Sequence, residues 1–406
     1  MQNQPKPLLI IGDAVSGSSG LSRITRDLAV RIHENLSDVY RLGTAGYGAC
    51  GSRQFPWPQY NLEGLRDWII PSLPEICNDF FGKEEMTLLV IWDLGRVNWV
   101  SQPQMFPELL APYPGLQKWL VKRPFKLFGY FPIDASGPQD KLTFPLMKTL
   151  LGFDRILAYG QFGEDVIRRT IGDEEADKRH LTNLPHGINS EIFYETNRSL
   201  CRKMFLKITG AECIIGETKP IEDDEVLIGV VATNQSRKSW DIACETISIL
   251  ARDRKVRLWC HIDSLERYWS LPSLLVDFGI LQNTVVSLGV ISDEAMAEAF
   301  SACDLTLGIG VEGFGLPLAE SLACSTPVIT GNYGGASDFV PKSMQVSPIA
   351  FRYEGSYANL RPVYHAEYWA NKCKEWIGKR TILNSRYFWE NLWKNEWEAY
   401  LREAAK

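Results

Sequence analysis

Two glutamates, Glu312 and Glu320, flank the string Gly313-Phe314-Gly315-Leu316-Pro317. Pro317 suits the first turn of a helix, and the glycines let a ligand approach the backbone closely. Amides at such a helix start face an anion. Glu320, one turn in, could accept hydrogen bonds from two vicinal hydroxyls, as a ribose presents, and Glu312 on the loop could hold hydroxyls of a second sugar. A basic turn, Asn234-Gln235-Ser236-Arg237-Lys238, follows an apolar run and could neutralise a leaving anion. Small residues, Ser16-Gly17-Ser18-Ser19-Gly20, sit between an apolar run and a helical pattern. They form a phosphate-approach loop, neither a Walker loop nor a GxGxxG fingerprint.

Each feature also has a plainer reading: a strand–helix connection with two glutamates, a solvated helix start, a flexible loop. Asp134, at the end of the run Lys126–Phe131, either faces a ligand or caps a turn. His261 and Asp263 form a lone pair at a strand end and read as structural. The acidic cluster Glu222–Glu225 reads as a solvated linker rather than a metal site. No Asp-x-Asp occurs anywhere, so the element that commonly holds a divalent cation on a diphosphate is missing, and no metal site is expected.

The elements that must position these residues are α/β in pattern. Short apolar runs at Leu8–Gly12, Thr87–Asp93, Lys126–Phe131 and Arg155–Tyr159 alternate with helical spacing or loops. The alternation restarts at Val226–Val231, Val256–Ile262, Val285–Leu288, Asp304–Leu307 and Pro327–Thr330, with helices over Ser239–Arg252 and Asp293–Ala302. Strands apolar on both faces argue for parallel sheets. A chain of 406 residues exceeds one core, so two domains are expected. The boundaries predicted are 1–195, joined by a C-terminal helix 382–406, and 196–381. In that tail, Trp389, Trp393 and Trp397 recur every fourth residue and predict a packing stripe.

A hydrophobic fraction of 45% with 23% charged residues marks an ordinary globular protein, and a net charge of -6 argues against a polyanion partner. Nine cysteines without a Cys-x-x-Cys pair read as reduced thiols. The N-terminal apolar stretch is short for a signal peptide, and no apolar run is long enough to span a bilayer. These features lead to the expectation of a cytoplasmic protein, with weak homo-oligomerisation possible.

In order along the chain, these strings resemble glycosyltransferase family 4. In that family two glutamates surround Gly-Phe-Gly-Leu-Pro, followed by Pro-Val-Ile and Gly-Gly, here Pro327-Val328-Ile329 and Gly334-Gly335. The resemblance implies the GT-B fold, two Rossmann-like doubly wound domains facing across a cleft, and transfer with retention of configuration. It implies that Glu312 contacts the donor sugar, Glu320 the nucleotide ribose, and the amides of Gly313, Phe314, Gly315 and Leu316 the sugar and diphosphate. Asn234, Arg237 and Lys238 match the family's basic loop, Val290 and Ile291 its base pocket, and Ser19 and Gly20 its N-terminal loop. His186-Gly187-Ile188-Asn189 is similar to the segment before the interdomain crossover. Thr233 stands where many relatives carry a basic residue, Val311 and Ser325 where glycine is frequent, and Asp338 where glutamate is. Asp134 could fill the place of the family's N-domain histidine.

The expected reaction moves a sugar from a UDP-, GDP- or ADP-sugar to an acceptor hydroxyl, with no cofactor. The acceptor stays open among glycan, lipid and modified nucleic-acid base. Two other readings also stay open: a catalytically silent nucleotide-sugar-binding subunit and a GT-B epimerase.

Overall fold

The computed structural model describes residues 4–48, 54–62 and 68–406. Cys50 lies outside them; the other eight cysteines are free thiols, seven of them buried. The chain forms two units, Met1–His186 with Leu392–Lys406, and Gly187–Asn391. The crossover therefore lies at 186/187 and the return at 391/392, where the sequence pattern had placed them at 195/196 and 381/382.

In the first unit the strands are β1 (Lys6–Asp13), β2 (Tyr40–Tyr47), β3 (Gln59–Asn61), β4 (Met86–Ile91), β5 (Phe125–Phe131), β6 (Arg155–Ala158) and β7 (Thr182–Asn183). They pair in the order β3-β2-β1-β4-β5-β6-β7, and every pairing is parallel. Leu8, Leu9, Ile10 and Ile11 of β1 are all buried, as a central strand covered on both faces requires. Strands β2 and β3 escaped the sequence pattern. Tyr40–Tyr47 (YRLGTAGY) mixes small and polar residues and owes its strand state to its neighbour β1, not to an apolar run.

In the second unit the strands are β8 (Val226–Val231), β9 (Val256–Ile262), β10 (Thr284–Leu288), β11 (Leu305–Gly308), β12 (Val328–Gly331) and β13 (Gln345–Val346). Their parallel order is β10-β9-β8-β11-β12-β13. Antiparallel β14 (Ala350–Glu354) and β15 (Asn359–Val363) form a separate hairpin. The strand order reverses direction between β8 and β11, which lie side by side with Leu305 opposite Ile228. The connections leaving their carboxyl ends diverge there, and in doubly wound sheets that is where ligands sit.

The stretch after residue 196 contains a helix, Arg198–Thr209, that its polar composition concealed. Its inward face carries Cys201, Arg202 and Phe205, and Arg202 is neutralised by Asp304 at 3.1 Å. The acidic cluster is ion-paired rather than merely solvated: Glu225 meets Arg257 at 2.9 Å, both nearly buried, while Asp224 meets Lys255 at 2.8 Å. Of the tryptophan stripe, Trp389 fills space against Gly187 in the second unit. In the first unit Trp397 donates its indole N–H to the Pro185 carbonyl at 3.0 Å. Both are buried.

Candidate functional site

The connection after β8 is the basic turn. Asn234 is fully buried, and its amide is spent inside the unit: Oδ1 accepts from the Trp269 amide at 2.8 Å, and Nδ2 donates to the carbonyls of Ser264 at 3.0 Å and Trp269 at 2.7 Å. Its side-chain hydrogen bonds stitch the turn to the loop after β9. The turn is also held by two indoles. Trp240 donates to the Thr233 carbonyl and Trp269 to the Gln235 carbonyl, each at 3.2 Å. Ser236–Lys238 forms a single 3-10 turn that leaves through Ser239, a non-glycine residue in the left-handed region (φ 47°). Such backbone persists where its surroundings over-determine it.

The connection after β11 carries Glu312. Arg237 clasps it by the backbone: its carbonyl accepts from the Val311 amide at 3.2 Å, and its guanidinium donates to the Val311 carbonyl at 2.6 Å. The Lys238 ammonium pairs with Glu312 Oε1, and the Arg237 guanidinium lies 3.4 Å from Oε2. Residues 74 positions apart thus meet because β8 and β11 are sheet neighbours. Burial works to raise the Glu312 carboxyl, but Lys238 and Arg237 overcome it and hold the group below the ordinary value of 4.5. It is an ionised acceptor at neutral pH and has no proton to give.

The loop then enters the helix Leu316–Ala323 through Gly315, whose φ of 99° strains any side-chain-bearing residue. The N-cap makes no side-chain hydrogen bond, and Pro317 stands in the first turn. Nearby Gly335 donates its amide to the Glu312 carbonyl at 2.7 Å. A Cβ at Gly335 would come within 2.0 Å of the Gly313 carbonyl oxygen, so the two loops touch backbone to backbone. Phe314 and Leu316 are buried, Phe314 packing on Phe339 with ring centroids 5.1 Å apart. Their side chains serve the core, leaving the backbone as what they present. Glu320 lies on the same helix, 3% exposed.

The structure therefore brings Arg237, Lys238, Glu312, Gly313 and Gly315 together. Val290, in the loop after β10, is 77% exposed. Asp134, Ser19 and Gly20 belong to the first unit. Asp134 is half-buried in the loop after β5. Ser19 caps the helix Gly20–Asn35, accepting from the Ser22 amide at 2.9 Å and donating to Asp13 Oδ2 at 2.6 Å. His261 lies 3.0 Å from the Ser287 hydroxyl, and Asp263 accepts from the Asn234 amide at 2.6 Å, so that pair is structural. Among the described residues no group of three or more His, Cys, Asp or Glu is placed to hold a metal ion. Among them, too, no helix is long and apolar enough to cross a membrane.

A hollow of about 310 Å³ opens beside the basic turn, walled by Gln235, Arg237, Arg267, Tyr268, Glu354 and Arg361 among others. The last two come from the hairpin, which the sequence pattern missed. Its signal was available in two five-residue segments around Gly355-Ser356-Tyr357-Ala358, but the alternation is spoiled by exposed aromatics on one face.

Residues 216–343 match the model of the family described as glycosyl transferases group 1. A stretch of 78 residues is 35% identical to the GDP-mannose-dependent alpha-(1-6)-phosphatidylinositol monomannoside mannosyltransferase of Mycolicibacterium smegmatis. That stretch covers 18% of this chain and only 20% of the mannosyltransferase. Among solved structures, the Anabaena protein Alr3699/HepE in complex with UDP and glucose matches with a TM-score of 0.63 at 13% identity, over 98% of this chain and 93% of that one. A glycosyltransferase from Rickettsia africae matches with a TM-score of 0.63 at 15% identity, over 99% and 94%. The catalytic domain of starch synthase IV from Arabidopsis thaliana, bound to ADP and acarbose, matches at 0.61 and 11%, over 99% of each chain. At such identities the structural likeness speaks for the fold, two Rossmann-like units of the GT-B class. Residues 216–343 are therefore similar to the glycosyl transferases group 1 family, within a chain whose fold is that of two Rossmann-like units.

Proposed function

We propose that the protein is a glycosyltransferase that moves a sugar from a nucleoside-diphosphate sugar to an acceptor hydroxyl, with retention of configuration and without a metal ion. The observation that carries this reading is the contact of Lys238 and Arg237 with Glu312 at the uncapped start of the helix Leu316–Ala323.

A diphosphate placed there competes with Glu312 for the two cations. Binding exchanges carboxylate for phosphate, and the released carboxylate becomes an acceptor for a sugar hydroxyl. As the glycosidic bond breaks, charge grows on the leaving diphosphate, and in this reading the Lys238 ammonium and the Arg237 guanidinium neutralise it, with the loop amides before the helix as further donors. These cations supply the neutralisation that a metal supplies in other enzymes. Glu312 is taken in this reading as an acceptor of sugar hydroxyls and not as a covalent nucleophile. Same-face attack, with the leaving phosphate taking the acceptor proton, follows as the mechanism. Glu320 holds the ribose in this reading.

The experiment is a screen of UDP-, GDP- and ADP-sugars for release of nucleoside diphosphate with and without candidate acceptors. Product configuration is read by NMR, and the assay is repeated with a chelator. Acceptor-dependent release that survives chelation supports the proposal. Release or sugar interconversion without acceptor points to an epimerase instead, and donor binding with no turnover points to a silent subunit.

A further inference from the structure

The hairpin β14–β15 lies outside the segment that matches the family model, yet it reaches the basic turn. In an antiparallel pair side chains alternate between faces, which separates Phe351 and Tyr353 from Ala350, Arg352 and Glu354. Phe351 and Tyr353 are exposed, whereas Glu354 is half-buried and Arg361 on the partner strand is 9% exposed. The Glu354 carboxylate has contacts on both sides. Oε1 accepts from the hydroxyl of Ser236, and Oε2 lies 3.6 Å from Arg361 Nε.

Ser236 opens the 3-10 turn whose next two residues are Arg237 and Lys238. A relay therefore runs from Arg361 through Glu354 to Ser236, and through two peptide units to the cations on Glu312. Asn234, Trp240 and Trp269 hold the entry of the turn, and Val311 holds its middle at Arg237. Glu354 adds an anchor on the hydroxyl that directly precedes the basic pair. The hollow beside the turn has walls from both the turn and the hairpin, so a shift of either reshapes it.

We propose that Glu354 is a positioning residue, which fixes Ser236 and so sets where Arg237 and Lys238 stand relative to Glu312. The inference rests on the reading of the basic turn as the cation pair for a donor diphosphate. It adds that the pair is aligned from outside the matched domain, by one carboxylate on a two-stranded appendage. A hydrogen bond to a charged group in a half-buried place is strong enough for its loss to be felt at the cations.

The test uses the full chain with Glu354→Ala, Glu354→Gln, Ser236→Ala and the double variant Glu354→Ala/Ser236→Ala. Hydrogen exchange at the amides of residues 236–239 is measured without ligand, and donor kinetics are measured where the wild type turns over. Expected are faster exchange in the two alanine variants and a fall of about tenfold in kcat/KM for donor with acceptor KM unchanged. Glu354→Gln, which keeps an oxygen for Ser236, stays within about threefold of wild type, and the double variant is no worse than either single one. Unchanged exchange in Glu354→Ala, or additive losses in the double variant, would overturn the proposal. If the wild type shows no turnover with any donor, the functional reading fails, while the exchange measurement still decides whether Glu354 positions the turn.

Discussion

Two strand-to-helix loops in this molecule look alike in sequence and differ in what they leave available. After β1, Asp13–Gly20 is rich in serine and glycine and opens a 16-residue helix. Its polar groups are spent on fixed neighbours: Ser19 caps the helix and donates to Asp13, Asp13 also accepts from the Trp92 indole at 2.9 Å, and Arg26 reaches the carbonyls of Val15 at 3.4 Å and Gly17 at 3.3 Å. After β11, the loop enters its helix through a glycine with no side-chain cap. Its charged group, Glu312, is matched by cations from another loop rather than from its own. The first loop's carboxylate is held by neutral donors, with Arg96 only within 3.9 Å, whereas the second loop's is held by two cations, and on the proposed reading those cations can exchange it for a phosphate.

The comparison can be broken most decisively at the second loop. Lys238→Ala and Glu320→Ala are each expected to lower turnover by about 10²-fold or more while far-UV circular dichroism stays native. Full activity in either would remove the site assignment. Ser19→Ala in the first loop is expected to leave turnover intact, and a comparable loss there would erase the distinction between the loops.

For stability the same asymmetry holds. Gly335→Ala drives a Cβ onto the Gly313 carbonyl oxygen and is expected to cost roughly 2–3 kcal/mol in urea unfolding. Ser19→Ala removes a cap worth about 1 kcal/mol. Gly20→Ala has no heavy atom within 4 Å of the new Cβ and sits at a helix start, so it should be neutral or slightly stabilising, within about 0.5 kcal/mol.

Acid sharpens the contrast further. The Glu312 carboxyl titrates below 4.5 in the folded protein, so its contribution to stability is fully present above that value. It is lost as pH falls through the lowered folded value. Glu312→Gln should therefore lose stability at pH 7 and show a shallower decline from pH 5 downward in unfolding titrations. An unchanged acid limb would mean that the Lys238–Glu312 pair does not contribute.

Much of this was legible before any coordinates. The runs Val226–Val231 and Val256–Ile262 are strands over the residues their apolar pattern marks, and Asp293–Ala302 is a helix over the same span. Buried parallel strands advertise themselves because both faces must be apolar. What stayed hidden follows from the same physics. Tyr40–Tyr47 becomes a strand only by pairing with β1, and Arg198–Thr209 hides its buried face behind a polar composition. Asn234 has the residue type of a ligand contact and spends its amide on the loop 264–269. Only partners in space separate those roles.

Sequence alone determined the two α/β arrays, the acids around Gly313–Pro317 and the basic pair at 237–238, because side-chain type and local spacing need no tertiary context. Tertiary structure decided which of these groups meet. Arg237 and Lys238 reach Glu312 because the strands before them are neighbours at the point where the sheet order reverses. It also decided that a carboxylate from a distant hairpin holds the turn beside them. Hydrogen bonds and ion pairs act over a few ångströms, and only folding brings groups so far apart in the chain to that range.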